Sequence, residues 1–577
     1  MLNAPPTCHR PQTDLAPGPG WAALDRSRKR LWVGAALLAS SLLLAACGGG
    51  TGSGSGSGSG SGHSPSGTNG LPNQSGCFYQ YTLTSSPLLT GTDPFFPQLW
   101  HLRNTGQGPG TPGEDLNVFP AAWQLTRGEG ARIAIIDDAV DVLHEDLAPN
   151  VVSGANYSYR PGAIGNPYPL PCDSFDEHGT AVAGIAAARD GNALGVAGVA
   201  PRAQLVAYSA LATATDADLT DALQRGLTLN GVYQNSWGSP DDGKLGAASA
   251  LITDAIEHGI RSGRDGKGVV YVFAGGNGGC YTQDRRGSCV SERSTLDAYL
   301  NQRGVIATCA VDERGAHPQY AEPGANLLVC GMSGDELGRT AVTTTLPKND
   351  YRSDFSGTSA STPMVAGAAA LVLAANPALT WRDVRLVLAK TARRNSPTDP
   401  GWVSAAAGLA FNPKFGFGVV DAGAAVALAR NWSSVGGAAQ MLSCGPYRRA
   451  PNLALPDASP TGLTSPREDP IAVGSECPIR NIEYVEVRFS AAHTYSGDLR
   501  IELVSPNAQV SELAVARTCD DGGDPLADAC GSYDNWQFGT VRHLEEAAGG
   551  EWRLRVTDAQ GDDTGTWQAW SLRIWGR

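Results

Sequence analysis

The hydrophobic pattern of this chain changes period near Asn431-Trp432, and the change confines it to two successive folds of different class. Upstream, helix-like Ala-rich runs surround short apolar runs that end in polar residues. Arg132-Ile-Ala-Ile-Ile-Asp137-Asp138 is one of these. An Ile-rich stretch of this length reads as a buried parallel strand, delivering its carboxylates where open α/β sheets place ligands. Downstream, Val485, Val487 and Phe489 alternate with Glu486 and Arg488, and Leu499, Ile501 and Leu503 with Arg500 and Glu502. Trp552, Leu554 and Val556 repeat the habit. A period of two with polar partners predicts half-buried antiparallel strands in a sandwich or barrel.

Charge narrows the function. The 43 Lys+Arg and 56 Asp+Glu leave a net charge of −13. That balance argues against nucleic acid, whose backbone needs a basic face, and favours cationic partners. At the N-terminus, Arg26, Arg28, Lys29 and Arg30 precede an apolar run over 31–44, the parts of a secretory signal. That run is too short for a comfortable membrane span of ~20 residues. Leu44-Ala45-Ala46-Cys47 resembles a bacterial lipobox, which implies a lipid on Cys47. Gly48 after it implies sorting to an outer membrane. The protein is therefore expected to be exported and anchored through its N-terminal lipid at the outer membrane or cell surface, from which release is conceivable. Residues 48–62 are almost pure Gly/Ser, a coil reaching ~20 Å. We expect a signal at 1–46 and a lipidated tether at 47–76.

Cysteine usage agrees with export. Of 12 cysteines, Cys8 precedes the signal core and Cys47 is the lipidation candidate, leaving an even ten for disulfides. Cys280–Cys289 and Cys519–Cys530 are the expected local pairs. No Cys/His zinc spacing occurs.

Two more motifs join Asp137. Asp176-Glu-His178-Gly-Thr leads into small and apolar residues, which predicts a tightly packed helix with His178 in its first turn. Gly357-Thr-Ser359-Ala-Ser-Thr-Pro opens an Ala-rich helix, whose positive end favours developing negative charge near the Ser359 hydroxyl. Each alone is weak. Together, in the order Asp…His…Ser, they resemble the signature motifs of subtilisin-like serine proteases, over roughly residues 93–432. The resemblance implies an α/β catalytic domain over 77–433, a mostly parallel sheet flanked by helices. It implies a triad: Ser359 the nucleophile, His178 its base, Asp137 holding the imidazole. Asn277, in Phe273-Ala-Gly-Gly-Asn277-Gly, matches the family's oxyanion donor. The Ser359 N–H is the second donor. Losing one such donor costs about 10²–10³ in turnover.

Several features resemble the kexin/furin-like proprotein convertases. Asp138 follows Asp137, Ser236-Trp-Gly-Ser-Pro-Asp241-Asp-Gly-Lys resembles a convertase segment, and Asp297-Ala-Tyr-Leu-Asn301 another. By this resemblance Asp241 and Asp297 face the P1 side chain, while Asp138 and Asp176 approach P2. A buried carboxylate prefers a matching cation, so cleavage after Arg or Lys, preferably at dibasic sites of protein or peptide substrates, is implied. Ala139 replaces a Gly, and Gln224 replaces a Glu, which weakens any demand for a basic P4 residue. Ca²⁺ is implied too, with Asp93, Asp146 and Asn192 as an all-oxygen ligand set. A second site would use Asp241 and Glu322, with Asp284 or Glu292.

His493-Thr-Tyr-Ser-Gly-Asp498-Leu and Gly550-Glu-Trp552 resemble the convertase P domain, implying an all-β sandwich over 434–577. Between Cys47 and Asp93 there is no room for a subtilisin prodomain of roughly 80 residues, so a separate folding chaperone is expected. Two other functions compete with the basic-specific protease. One is a broad-specificity surface protease; the other is an inactive scaffold that binds through the β-sandwich.

Overall fold

In the computed structural model, the described residues are 70–83, 89–279, 291–334, 340–458, 465–519 and 530–577. Six parallel strands form the first sheet: β1 (Arg132–Ile136), β2 (Gln204–Tyr208), β3 (Val232–Asn235), β4 (Val270–Ala274), β5 (Val305–Val311) and β6 (Leu327–Met332). Their spatial order is β2-β1-β3-β4-β5-β6. Every residue of β3 through β6 is buried, as expected of strands covered on both faces.

The helices are α1 (His178–Ala187), α2 (Asp216–Gln224), α3 (Ala250–Ser262), α4 (Thr358–Ala375), α5 (Trp381–Thr391) and α6 (Ala422–Ala429). Small residues let α1 sink into the core, where all its residues except His178 are buried. A Cβ on Gly184 would lie 2.5 Å from Thr344 Oγ1, so only glycine admits the neighbouring hairpin. That hairpin, β7 (Val342–Leu346) and β8 (Asp350–Phe355), donates from Thr344 and Thr345 to the α1 carbonyls of Ala181 and Thr180 at 2.6 and 2.7 Å. Helix α4 is apolar and long enough to cross a membrane, but 83% of it is buried inside the protein, where it serves as a core helix. A small pair, β9 (Val403–Ser404) and β10 (Ala410–Phe411), follows α5.

The alternating segments form two antiparallel sheets, so the sandwich rather than the barrel is realised. One sheet holds β11 (Leu442–Arg449), β19 (Gly565–Gly576), β14 (Ile482–His493) and β17 (Tyr533–Thr540), with β12 (Leu453–Leu455) on β19. The other orders β13 (Arg467–Val473), β18 (Gly550–Asp558), β15 (Leu499–Val504) and β16 (Val510–Ala514). Val485, Val487, Phe489, Leu499, Ile501, Leu503, Trp552, Leu554 and Val556 all face one core.

The sandwich docks on the α/β domain through buried charge. Arg382 in α5 is fully buried and pairs with Glu483 of β14 through Nε and Nη2, at 2.9 and 2.6 Å. Its Nη1 donates to the carbonyls of Val435, Gly436 and Gly437, so one guanidinium fixes both connector and partner domain. Tyr484 Oη donates to Asn301 O at 2.7 Å.

Four disulfides occur among the described residues: Cys77–Cys172, Cys309–Cys330, Cys444–Cys477 and the expected Cys519–Cys530. Cys280–Cys289 and Cys47 lie outside those residues. Leu71, within the expected tether, is packed and only 5% exposed.

Candidate active site

Strand β1 ends at Ile136 and hands Asp137 to the C-terminal edge of the sheet, 1% exposed. Its Oδ1 lies 2.8 Å from His178 Nδ1. Facing a carboxylate oxygen, Nδ1 carries the proton and Nε2 is left with a free lone pair. Burial opposes charge on the imidazole, but Asp137's charge and hydrogen bond outweigh it and raise the His178 pKa to about 9. Asp138 holds the start of α1, accepting from the N–H groups of His178 and Gly179 at 3.2 and 2.8 Å. These are helix-end donors that would otherwise lack partners. Burial, then the charge of Asp137, push the Asp138 carboxyl up to about 8.

Ser359, the expected nucleophile, sits on a sharp elbow. Gly357 takes φ of +79°, and α4 begins at the next residue, so Ser359 stands in the first helical turn. Phe355, at the end of β8 and two residues before Gly357, lies 5.4 Å from the His178 ring. Ser236 Oγ donates to Ser359 O at 3.0 Å. Asn277 is keyed in one orientation: its Oδ1 accepts from Thr358 N and Oγ1 at 2.8 and 3.0 Å. A backbone N–H can only donate, so Oδ1 must face Thr358, and the amide N–H₂ is left for an outside acceptor.

The acids fall into groups. Asp241, Glu292 and Glu322 offer oxygens within 4.8 Å of one another. Burial first, and then neighbouring carboxylates, hold Glu322 well above its usual range; the same causes push Glu292 up to about 8. Two of them also hold the Asn277 segment, because Asn277 N–H donates to Asp241 and Gly278 N–H to Glu322, at 3.2 and 2.9 Å. Asp297 accepts from the N–H groups of Ser239 and Tyr299 at 2.8 and 2.7 Å, and burial pushes it up to about 6. Asp176 is engaged by Arg160 and by Cys172 N–H. Gln224, at the end of α2, bonds back to Thr220 O.

Asp93, Asp146 and Asn192 also meet. Asp93 accepts from the N–H groups of Gly191 and Asn192 at 2.9 and 3.0 Å. Asp146 accepts from Asn192 Nδ2 and Val196 N at 2.7 and 2.8 Å. Burial, with Asp93's charge adding, pushes Asp146 up to about 7. Two buried carboxylates wrapped by a loop, and the exposed Asp241 with buried Glu292 and Glu322 beside Asn277, offer the oxygen donors that suit a hard divalent cation. Of the alternatives Asp284 and Glu292, Glu292 is the one at the second cluster; Asp284 lies outside the described residues. Sequence reasoning passed over Thr358, although it stands within the Gly-Thr-Ser motif, and Phe355, whose role needed the hairpin geometry.

Residues 128–418 match the subtilase family, and residues 482–574 match the proprotein convertase P-domain. The chain belongs to the subtilase family of subtilisin-like serine proteases and carries a C-terminal P domain. It is similar to the PC3-like endoprotease variant B of Hydra vulgaris, 33% identical over 82% of this chain and 64% of that protein. It is 32% identical to Protease KEX1 of Kluyveromyces lactis over 84% of this chain and 60% of that one. Human neuroendocrine convertase 2 is 34% identical over 84% of this chain and 74% of its own length. The chain thus spans less than two thirds of the Hydra and Kluyveromyces relatives. The crystal structure of a serine protease of Aeromonas sobria superposes with a TM-score of 0.72 at 26% identity, covering 85% of this chain and 96% of that one. The same protease in complex with a chaperone gives 0.73 at 25% identity, with the same coverage.

Proposed function

We propose that the chain is a calcium-dependent serine endopeptidase that cleaves after Arg or Lys, preferring dibasic sites. The observation that carries this reading is the combination, at one edge of the sheet, of the Asp137–His178 hydrogen bond and the keyed amide of Asn277. Ser359 Oγ attacks the substrate carbonyl while its proton passes to His178 Nε2. Asp137 keeps the imidazole in the right tautomer and steadies its positive charge. Asn277 Nδ2 donates to the new oxyanion, as does the Ser359 N–H. His178 then gives its proton to the leaving amine, the C–N bond breaks, and water hydrolyses the ester on Ser359 by the same route.

Specificity is supported by the carboxylates of Asp241 and Asp297 beside this centre, and Asp241 is among the charges acting on Asp297. A basic P1 side chain would relieve the cost of burying Asp297 and pair with the exposed Asp241. Asp138 and Asp176 are already bonded to the α1 start and to Arg160, so the P2 preference is the weaker part of the reading. Calcium would be held by Asp93, Asp146 and Asn192, and by Asp241, Glu292 and Glu322, where its charge steadies the loops that carry the triad and Asn277.

Anchoring through Cys47 at the outer membrane or cell surface rests on the sequence alone. A separate folding chaperone is supported by the Aeromonas sobria protease, solved in complex with one. The catalytic reading is tested with a fluorophosphonate probe. It should label the wild type on Ser359 and leave Ser359→Ala unlabelled; labelling of both alike contradicts it.

A further inference from the structure

The acid cluster beside Asn277 is gripped from the far side by the P domain. Gly243 N–H donates to Glu292 Oε2 at 2.9 Å, and the carbonyl of the same residue accepts from Arg517 Nε at 2.6 Å. One residue thus ties a catalytic-domain carboxylate to a P-domain guanidinium. Gly243 lies two residues beyond Asp241, which accepts the Asn277 N–H. Movement of residues 241–243 therefore carries with it both the P1 acid and the support of the oxyanion residue.

Arg517 is built to hold this position. It is 5% exposed, and its Nη1 lies 3.3 Å from Tyr533 Oη, while Nη2 has no hydrogen-bond partner among the described residues. A buried guanidinium with an unused donor is costly unless an opposite charge compensates it. Its charge acts on Glu292 across Gly243, and its other donors go to the Gly243 carbonyl and Tyr533. The backbone beneath it is fixed. Arg517 N–H donates to Gly497 O at 2.8 Å, and the Cys519–Cys530 disulfide lies two residues on. Cys530 O in turn accepts from Leu245 N–H at 3.3 Å, so the same platform touches the loop twice. On the flank, Arg293 pairs with Glu512 at 2.8 Å and Thr295 Oγ1 donates to Leu513 O at 2.6 Å.

We propose that Arg517 is a positioning residue: through Gly243 it sets the Asp241 loop, so that the P domain determines how strongly the cleft prefers a basic P1 side chain. The proposal rests on the basic-specificity reading above. In the full chain, Arg517→Met keeps an apolar stem and removes the donor, and Arg517→Lys keeps the charge. Two measurements are needed: amide hydrogen exchange over residues 241–245, and kcat/KM for matched peptides carrying Arg or Phe at P1.

Arg517→Met should speed exchange at Gly243 at least tenfold while β14 and β19 stay protected. It should also cut the Arg-over-Phe ratio at least tenfold, with part of the ratio restored in Arg517→Lys. Unchanged exchange at Gly243, or equal losses on both peptides, overturns the proposal. Should Arg517→Met fail to fold, Tyr533→Phe removes the guanidinium's other support and must move both readouts in the same direction, or the proposal falls. A wild type that does not prefer Arg sinks the specificity reading alone, and exchange at Gly243 still decides whether Arg517 holds the loop.

Discussion

His178 is pulled two ways: burial disfavours its charge, and Asp137 favours it more strongly, for a pKa of about 9. The base works only when neutral, so kcat/KM should climb with pH through an ionisation well above the ordinary 6.5 of histidine. Asp137→Asn should move that ionisation down while activity collapses. A wild-type profile already flat above pH 7 would contradict this balance. At this scale the sequence was legible where a motif carries its own geometry. Asp137, His178 and Ser359 stand at a strand end, a helix start and a glycine elbow, each visible from local pattern. Thr358 keying Asn277 was not legible, because it joins residues 81 apart in sequence. Arg517, 274 residues from Gly243, belongs to no chemical motif at all.

Among the elements, the β7–β8 hairpin connects the most parts. Tyr351 on β8 packs 5.2 Å from Phe95 and 5.2 Å from His144, beside the loop that wraps Asp146, and Phe355 at the strand's end packs on His178. The loop and His178 therefore share one strand, and the proposed calcium sites should govern stability as well as activity. Without cation, Asp146 and Glu292 have folded pKa values of about 7 and about 8, above their ordinary 3.8 and 4.5. Raised carboxyl groups favour the folded state at low pH and lose that contribution as pH rises through the folded value. The Tm of chelator-treated protein should thus fall between about pH 4.5 and about pH 8, and added Ca²⁺ should restore it most at the alkaline end. A Tm independent of Ca²⁺ at pH 8 would contradict the assignment. Element types were legible from periodicity, since Ile-rich runs and strict alternation have few alternatives. Long-range disulfides such as Cys77–Cys172 were not, because an even cysteine count allows many connectivities.

For the whole molecule, the domain boundary was read from the change in period, but how the domains meet was not, because it depends on side chains from separate folds. Arg382 and Glu483 form the buried pair at that junction. Arg382→Met leaves the buried Glu483 carboxylate to Arg577, 3.3 Å away, and should cost about 3 kcal/mol, read as a lowered Tm and faster proteolysis near residue 435. Adding Glu483→Gln should return part of the loss. The acidic residues acquire a location in this architecture: Asp241, Glu292 and Glu322 gather beside Asn277, and Asp241 acts on Asp297. The central claim is that this acidic site belongs to a working Asp-His-Ser protease. It is tested most directly with peptides ending in Lys-Arg, single Arg or Phe before a reporter amide, with Ser359→Ala as control and Ca²⁺ present. The account predicts fastest release after Lys-Arg, slower release after Arg, little after Phe, and none from Ser359→Ala; equal rates on all three peptides, or turnover surviving in Ser359→Ala, would contradict it.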